Sequence, residues 1–182
     1  GINFNAIDKY GYSSLILASK YGYYEIVELF LGVEGINANA IDKNGRTSLI
    51  LASANGHSIV VKLLIIVKGI DVNATDKYGY TSLSLASSNG HSDVVKLLLS
   101  SEGINVNAID VNGRSLILAS ENGHSEVVKL LISVKGIDVS AKDNYGRTSL
   151  ILASANGHSD AVHLLLGVDQ GFSLVYFFVL LS

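Results

Sequence analysis

The sequence has no cysteine, no proline, no methionine and no tryptophan. Without cysteine there can be no disulfide framework, thiolate metal site or cysteine nucleophile, and a reducing compartment is the natural expectation: the cytoplasm first, the nucleus second. Positive charge is also scarce. Lys and Arg number 13 against 16 Asp and Glu, giving a formal net charge of -3 and a pI near 5.9. A protein that binds by neutralising many phosphates normally shows a basic stripe, so nucleic acid is not an expected partner. A P-loop, a dinucleotide fingerprint and an HExxH motif are all missing, and no cofactor is expected. The opening residues Gly1-Ile2-Asn3-Phe4 lack the basic start and apolar run of a secretory signal. With no methionine anywhere, the chain reads as a fragment or as one whose initiator was removed. Myristoylation of Gly1 would ask for Ser or Thr where Ala6 stands. A glycosylation sequon at Asn73-Ala74-Thr75 reads as chance.

What is present is apolar material in regular order. Hydrophobic residues make up 48% of the chain and the mean hydropathy is +0.38, enough for a core and too much for a disordered linker. The segment TSLILASANGHS at 47–58 returns letter for letter at 148–159. Asp8, Asp42, Asp76, Asp110 and Asp143 each stand three residues before a glycine, at spacings of 34, 34, 34 and 33. After each glycine comes an apolar segment closed by Gly22, Gly56, Gly90, Gly123 or Gly157, and then a second apolar segment.

Both segments read as helices. Val60, Leu63 and Leu64 fall at i, i+3 and i+4, one helical face. Thr47 or Ser48 is placed to cap the first helix, and Asn55-Gly56 supplies the left-handed residue that ends it. Serine at 58, 92, 125 and 159, mostly followed by Asp or Glu, is expected to cap the second helix and favour its macrodipole. Helices of two or three turns are not stable alone, and a unit of about 34 residues is too small for its own core, so the units must stack.

The string D-x-x-G-x-T-S-L-I-L-A-S-x-N-G-H-S-x-V-V-K-L-L resembles the ankyrin repeat, over five copies in fixed phase from Gly1 to about Gly171. The resemblance implies an all-α ankyrin-repeat solenoid of helix–turn–helix units joined by β-hairpin loops. Its repeats are expected at about 8–41, 42–75, 76–109, 110–142 and 143–171, after a partial hairpin at 1–7. It departs from the family pattern in two columns. Ser14, Ser48, Ser82, Ser115 and Ser149 hold the family's proline position, and Ile16, Ile50, Ser84, Ile117 and Ile151 its histidine position. Weaker repeats are expected as a result. The fourth copy is one residue short between Gly113 and the helix, so its hairpin tip is expected to be displaced.

Chemistry is not expected in this chain. His91-Ser92-Asp93 and His158-Ser159-Asp160 hold the residue types of a hydrolase triad, but consecutive residues point in different directions. His57, His91, His124 and His158 recur once per repeat, about 8–10 Å apart in a stack, too far to share a metal. The turn aspartates are expected to bond their own backbone. The chain is therefore expected to be a non-enzymatic interaction module, a monomer that acts as an adaptor or scaffold. The alternative is an ankyrin segment of a larger membrane or signalling protein whose activity lies elsewhere.

The copies differ most at the hairpins. Two residues after the repeat Asp stand Tyr10, Asn44, Tyr78, Asn112 and Tyr145, and two further on stand Tyr12, Arg46, Tyr80, Arg114 and Arg147. These two columns contain all three arginines and five of the nine tyrosines. The resemblance implies that hairpin tips and inner helices form a concave binding face. Tyr and Arg are the residues most enriched at interface hot spots, so the ten are candidates for contact with a protein partner. The competing reading is that they cover the turns' own apolar surface. Lys9, Lys43, Lys77 and Lys142 make this rim mildly positive and favour an acidic or phosphorylated partner segment. Lys62, Lys96 and Lys129 in the second helices read as solvated. An apolar tail at 172–182 is expected to fold back over the fifth repeat. The alternatives are the first third of a membrane helix, since eleven residues are too few for a bilayer that takes about 20, and translated sequence unrelated to the fold.

Overall fold

The computed structural model describes residues 1–111 and 113–169. Among them are ten helices in five consecutive pairs: α1 (Ser14–Tyr21) with α2 (Tyr24–Leu31), α3 (Ser48–Ala54) with α4 (Ser58–Ile65), α5 (Ser82–Ser88) with α6 (Ser92–Leu99), α7 (Ser115–Glu121) with α8 (Ser125–Ile132), and α9 (Ser149–Ala155) with α10 (Ser159–Asp169). The all-α solenoid is the fold. Asn112 and the tail 172–182 lie outside the described residues.

Each helix boundary has a local cause. Ser13, Thr47, Thr81 and Thr148 accept a hydrogen bond from the backbone N–H three residues on, at 3.2, 3.2, 3.1 and 3.3 Å, and so satisfy one orphan donor of each first helix. At the other end, Gly56 sits at φ 74°, where its N–H reaches Ser53 O and that of His57 reaches Ala52 O. This pair of bonds is the Schellman motif. The second helices differ from expectation. Ser58, Ser92 and Ser125 are the first helical residues, His57, His91 and His124 hold the N-cap position, and no side chain caps the helix. The histidines are occupied elsewhere.

The helices form two layers. The first helices stack α1 on α3, α3 on α5, α5 on α7 and α7 on α9, while the second helices stack α2 on α4, α4 on α6, α6 on α8 and α8 on α10. Between the layers, Leu15, Leu49, Leu83 and Leu116 from the inner helices meet Val61, Leu64, Val95, Leu98, Val128 and Leu131 from the outer ones in one continuous buried cluster. The core runs through every copy, so no copy buries its apolar face alone.

Polar stitches fix the register. His57 Nε2 bonds Lys20 O at 3.0 Å, His91 Nε2 bonds Ala54 O at 3.1 Å, His124 Nε2 bonds Ser88 O at 2.9 Å and His158 Nε2 bonds Glu121 O at 3.0 Å. A carbonyl only accepts, so Nε2 carries the proton in each. Asn89, Asn122 and Asn156 Nδ2 donate to the same carbonyls, at 2.8, 3.2 and 2.8 Å. These are last-turn carbonyls of an inner helix, which have no partner within that helix. A second ladder runs through the loops. Asn5, Asn39, Asn73 and Asn107 each donate Nδ2 to a glycine carbonyl of the next copy (Gly35, Gly69, Gly103, Gly136) and accept at Oδ1 from its Asn37, Asp71, Asn105 or Asp138 N–H. The Asn73 amide, the acceptor of the chance sequon, is thus tied on both atoms.

Two features of this packing are testable. Gly90 and Gly157 share φ 74°, but a Cβ on Gly90 would lie 2.6 Å from His124 Nδ1, whereas nothing among the described residues lies within 4 Å of one on Gly157. Gly157→Ala should cost only the left-handed penalty, about 1–2 kcal/mol. Gly90→Ala should cost about 1–2 kcal/mol more, because it also displaces the stitch to Ser88. Equal losses in urea unfolding would deny the histidine that role. Second, the hydroxyls of Ser53, Ser87 and Ser120 are fully buried and bond no described residue. Each Ser→Ala change should therefore stabilise by about 1 kcal/mol, a rise in Tm of about 2–4 °C, and a fall in Tm would contradict it.

Candidate protein-binding face

The hairpin tips are built from one device. Asp8, Asp42, Asp76 and Asp143 each turn Oδ1 back to accept two backbone N–H groups, those of residues two and four further on, at 2.8–3.0 Å. A single antiparallel bridge closes each tip: Ile7 with Ser13, Ile41 with Thr47, Thr75 with Thr81 and Lys142 with Thr148. Successive tips are linked, since Lys43 N donates to Tyr10 O at 3.1 Å, Lys77 N to Asn44 O at 2.9 Å and Val111 N to Tyr78 O at 3.3 Å. Such close approach leaves no room for a side chain on Gly11, whose Cβ would lie 2.9 Å from Lys43 N at φ +83°.

On this row the two candidate columns part company. Tyr10, Tyr78 and Tyr145 in the first column are 55%, 52% and 83% exposed. Asn44 is half-buried and accepts from Lys77 Nζ. Lys9 and Lys77 lie over the rings of Tyr10 and Tyr78, each at 4.9 Å, and Arg147 over that of Tyr145 at 5.0 Å. The second column turns inward. Arg46 grips Asp42 Oδ2 through Nε at 2.8 Å and Nη2 at 2.7 Å, and Nη2 also donates to the Tyr12 hydroxyl across the repeat boundary at 2.8 Å. Arg147 Nε bonds Asp143 Oδ2 at 2.7 Å. Tyr12 and Tyr80 are half-buried, with their rings 6.5 and 6.4 Å from those of Tyr10 and Tyr78. The first column presents its side chains, and the second braces the tips.

The fourth copy, one residue short, has a different hairpin pairing. Its hairpin is a two-residue ladder, β1 (Ile109–Asp110) with β2 (Gly113–Arg114), in which Ile109 faces Arg114 and Asp110 faces Gly113. In the second and fifth copies the arginine at this position bonds the turn aspartate four residues before it. Arg114 reaches instead to Asp138 Oδ2, in the link before the fifth copy, at 2.6 Å. Asn144 Nδ2 bonds Val111 O at 3.0 Å and ties the fourth tip to the fifth. Asn112, the remaining candidate, is outside the described residues.

Sequence reasoning missed exposed aromatic residues at the turn between α1 and α2. Tyr21, Tyr23 and Tyr24 are 54%, 54% and 40% exposed, and Lys20 lies over the rings of Tyr12 and Tyr21 at 5.1 and 5.3 Å. The signal was available: Tyr21 and Tyr23 stand where the other copies carry Asn and His.

The carboxylates of the arginine pairs are perturbed. Burial pushes Asp42 up, but hydrogen bonds from the Arg46 guanidinium and from the Arg46 and Asn44 backbone outweigh it and hold the carboxyl below its ordinary range. The same balance, burial against the Arg147 and Tyr145 bonds, lowers Asp143. Asp138 is lowered first by the Ser140 hydroxyl, with Arg114 adding to it against burial.

A family model for ankyrin repeats, described as three copies, matches residues 15–110 and 109–174. Among curated proteins, none matches the chain.

The depressed carboxyls give stability a definite pH dependence. Each binds fewer protons folded than unfolded in acid, so its contribution is complete above the ordinary aspartate pKa of about 3.9 and is lost as pH falls through the lower folded value. The thermal midpoint should fall between about pH 5 and about pH 3. The Asp42→Asn, Asp143→Asn double variant should have a lower midpoint at neutral pH and a shallower fall in acid. A fall as steep as that of the parent would show that these pairs do not set the acid response.

Proposed function

The chain belongs to the ankyrin repeat family, and from that premise we propose that it is a non-enzymatic adaptor that holds a protein partner on the concave face of its hairpin tips and inner helices. Ankyrin repeats are in general protein–protein interaction modules. The finer reading rests on one observation: the tyrosines of the first column are exposed while Arg46 and Arg147 behind them are held by their own turn aspartates and Tyr12 by Arg46 of the next copy. A rigid, exposed tyrosine offers large area and a directed hydroxyl and loses little conformational entropy on binding.

Tyr10, Asn44, Tyr78, Asn112 and Tyr145 would touch the partner. Tyr12, Arg46, Tyr80 and Arg147 would set their orientation, and Arg114 would act from the link where it meets Asp138. Lys9, Lys43, Lys77 and Lys142 are all exposed along the same row, which favours an acidic or phosphorylated segment. The module would comprise residues 1–171 and act as a monomer in the cytoplasm. No described helix is long and apolar enough to cross a membrane.

The partner can be recovered by cross-linking from photo-reactive analogues placed at Tyr78 and Tyr145, and its affinity then measured against Tyr78→Ala and Tyr145→Ala. Both side chains are exposed, so the fold should be unaffected. Each change should weaken binding about tenfold or more, whereas Asp160→Ala on the far layer should not. Unchanged affinity in both tyrosine variants would remove the tips from the binding site.

A further inference from the structure

The outer helices contain their own control. Their second residue is Glu25, Asp93, Glu126 or Asp160 in four copies, but Ile59 in α4. Seven residues on stand Gly32, Ser100, Ser133 and Gly167, but Ile66 in the second copy. Ile59 is 55% and Ile66 76% exposed. Seven residues make two turns, so both lie on one side of α4, with the partly buried Leu63 between them. One exposed isoleucine is ordinary. Two on a single face, both where the sister copies carry acid, serine or glycine, form a patch.

The patch borders a groove. A hollow of about 470 Å³ lies between α4 and α6, its apolar lining supplied by Ile59 and Leu97 and its charged rim by Lys62, Lys96 and Asp93. Ile59 also lines a smaller hollow of about 190 Å³ on its other side, beside Tyr24 and His57. On α2, Leu29 is 75% exposed in the column that Leu63 and Leu97 occupy.

We propose that this outer face is a second docking site, separate from the hairpin tips, for an amphipathic helix of a partner protein whose apolar stripe is flanked by acidic residues. The groove between two neighbouring helices receives the side-chain ridge of a third. The eight residues of α4 span about 12 Å, room for apolar anchors at i, i+3 or i+4, and i+7. Two lysines against one aspartate on the rim select acidic flanks over basic ones.

The probe is a labelled synthetic helix of about 18 residues with leucine at those anchor positions and glutamate elsewhere, together with its glutamate-to-lysine twin. Fluorescence anisotropy on the full chain should show the glutamate helix binding about tenfold tighter than the lysine twin. The Ile59→Asp, Ile66→Ser double variant, which installs residues carried by the sister copies, should lose about tenfold in affinity with its thermal midpoint unchanged or raised. Tyr78→Ala should leave this binding intact, which separates the outcome from that of the hairpin tips. Equal affinity for both helices, or for parent and double variant, would overturn the proposal. So would a parent that sediments as a dimer and a double variant that sediments as a monomer, because the occupant would then be a second copy.

Discussion

The structure depends on the unpaired carbonyls at the end of each inner helix. A helix of seven or eight residues leaves its last-turn carbonyls without partners. In α1, α3, α5 and α7 one of them is answered from outside the helix, by the histidine of the following copy, joined in the last three by its asparagine. The glycine that ends the helix in the left-handed region lets the chain turn sharply enough for the next copy's imidazole to lie against it. Turn, stitch and stacking distance are therefore one constraint. It explains why the histidine stands at the N-cap position of the second helix without capping it: its ring faces backward to the preceding copy. The Asn ladder repeats the same logic in the loops, where an amide side chain serves at once as donor to one strand of backbone and acceptor from the next residues along. A buried amide or carbonyl left unmet would cost about 1–3 kcal/mol, comparable to the stability that one copy could contribute.

A surface fixed this firmly can hold functional side chains without help from a ligand. The carboxylates of Asp8, Asp42, Asp76 and Asp143 each accept two backbone N–H groups through one oxygen, and in the second and fifth copies the other is offered to an arginine. That arginine is consequently a poor candidate for free contact with a partner, since leaving its own aspartate would strand a buried charge. Its use lies in what it steadies. Arg46 bonds the Tyr12 hydroxyl across the copy boundary, and Tyr12 packs beside the exposed Tyr10. The two columns thus differ in kind: the tyrosines of the first are exposed, and the arginines of the second are engaged with their own turns in the second and fifth copies.

Much of this was legible in the residues. The recurring Asp and Gly fixed the period, the Thr and Asn-Gly pairs located the first helices, and the absence of Thr from the fourth copy located its altered hairpin. The destination of a side chain was not legible where two partners compete for it. Ser58, Ser92 and Ser125 have the composition of caps, but the backbone starts its helix one residue earlier because the preceding histidine is drawn to the previous copy. Arg114 shares a column with Arg46 and Arg147, but its partner depends on where the shortened hairpin ends, a matter of three-dimensional register. The asparagines at 5, 39, 73 and 107 stand at the same spacing of 34 as the aspartates. Their period was visible, but their role was not, because each bonds residues about 30 positions away. The exposed Ile59 and Ile66 stand out only when each copy is compared with its sisters in known orientation.

The fourth copy shows how far such an array can depart from its own rule. Losing one residue removes the threonine cap of α7, leaving Arg114 at the N-cap with no side-chain bond to the helix, a change of about 1 kcal/mol. In a globular domain a deletion between turn and helix would propagate through a shared core. In a stack each copy meets only its neighbours, so the disturbance can be settled at one interface. It is settled there by side chains. Arg114 ties the altered hairpin to Asp138 in the link that closes the same copy, and across the boundary Asn144 bonds the Val111 carbonyl, while the histidine stitches on both sides of α7 keep their lengths of 2.9 and 3.0 Å. The inner-helix ends, where the orphan carbonyls lie, are preserved, and the variation is confined to the tips. Separation of the register-setting end from the variable end allows the hairpin row to change from copy to copy without unstacking the helices beneath it.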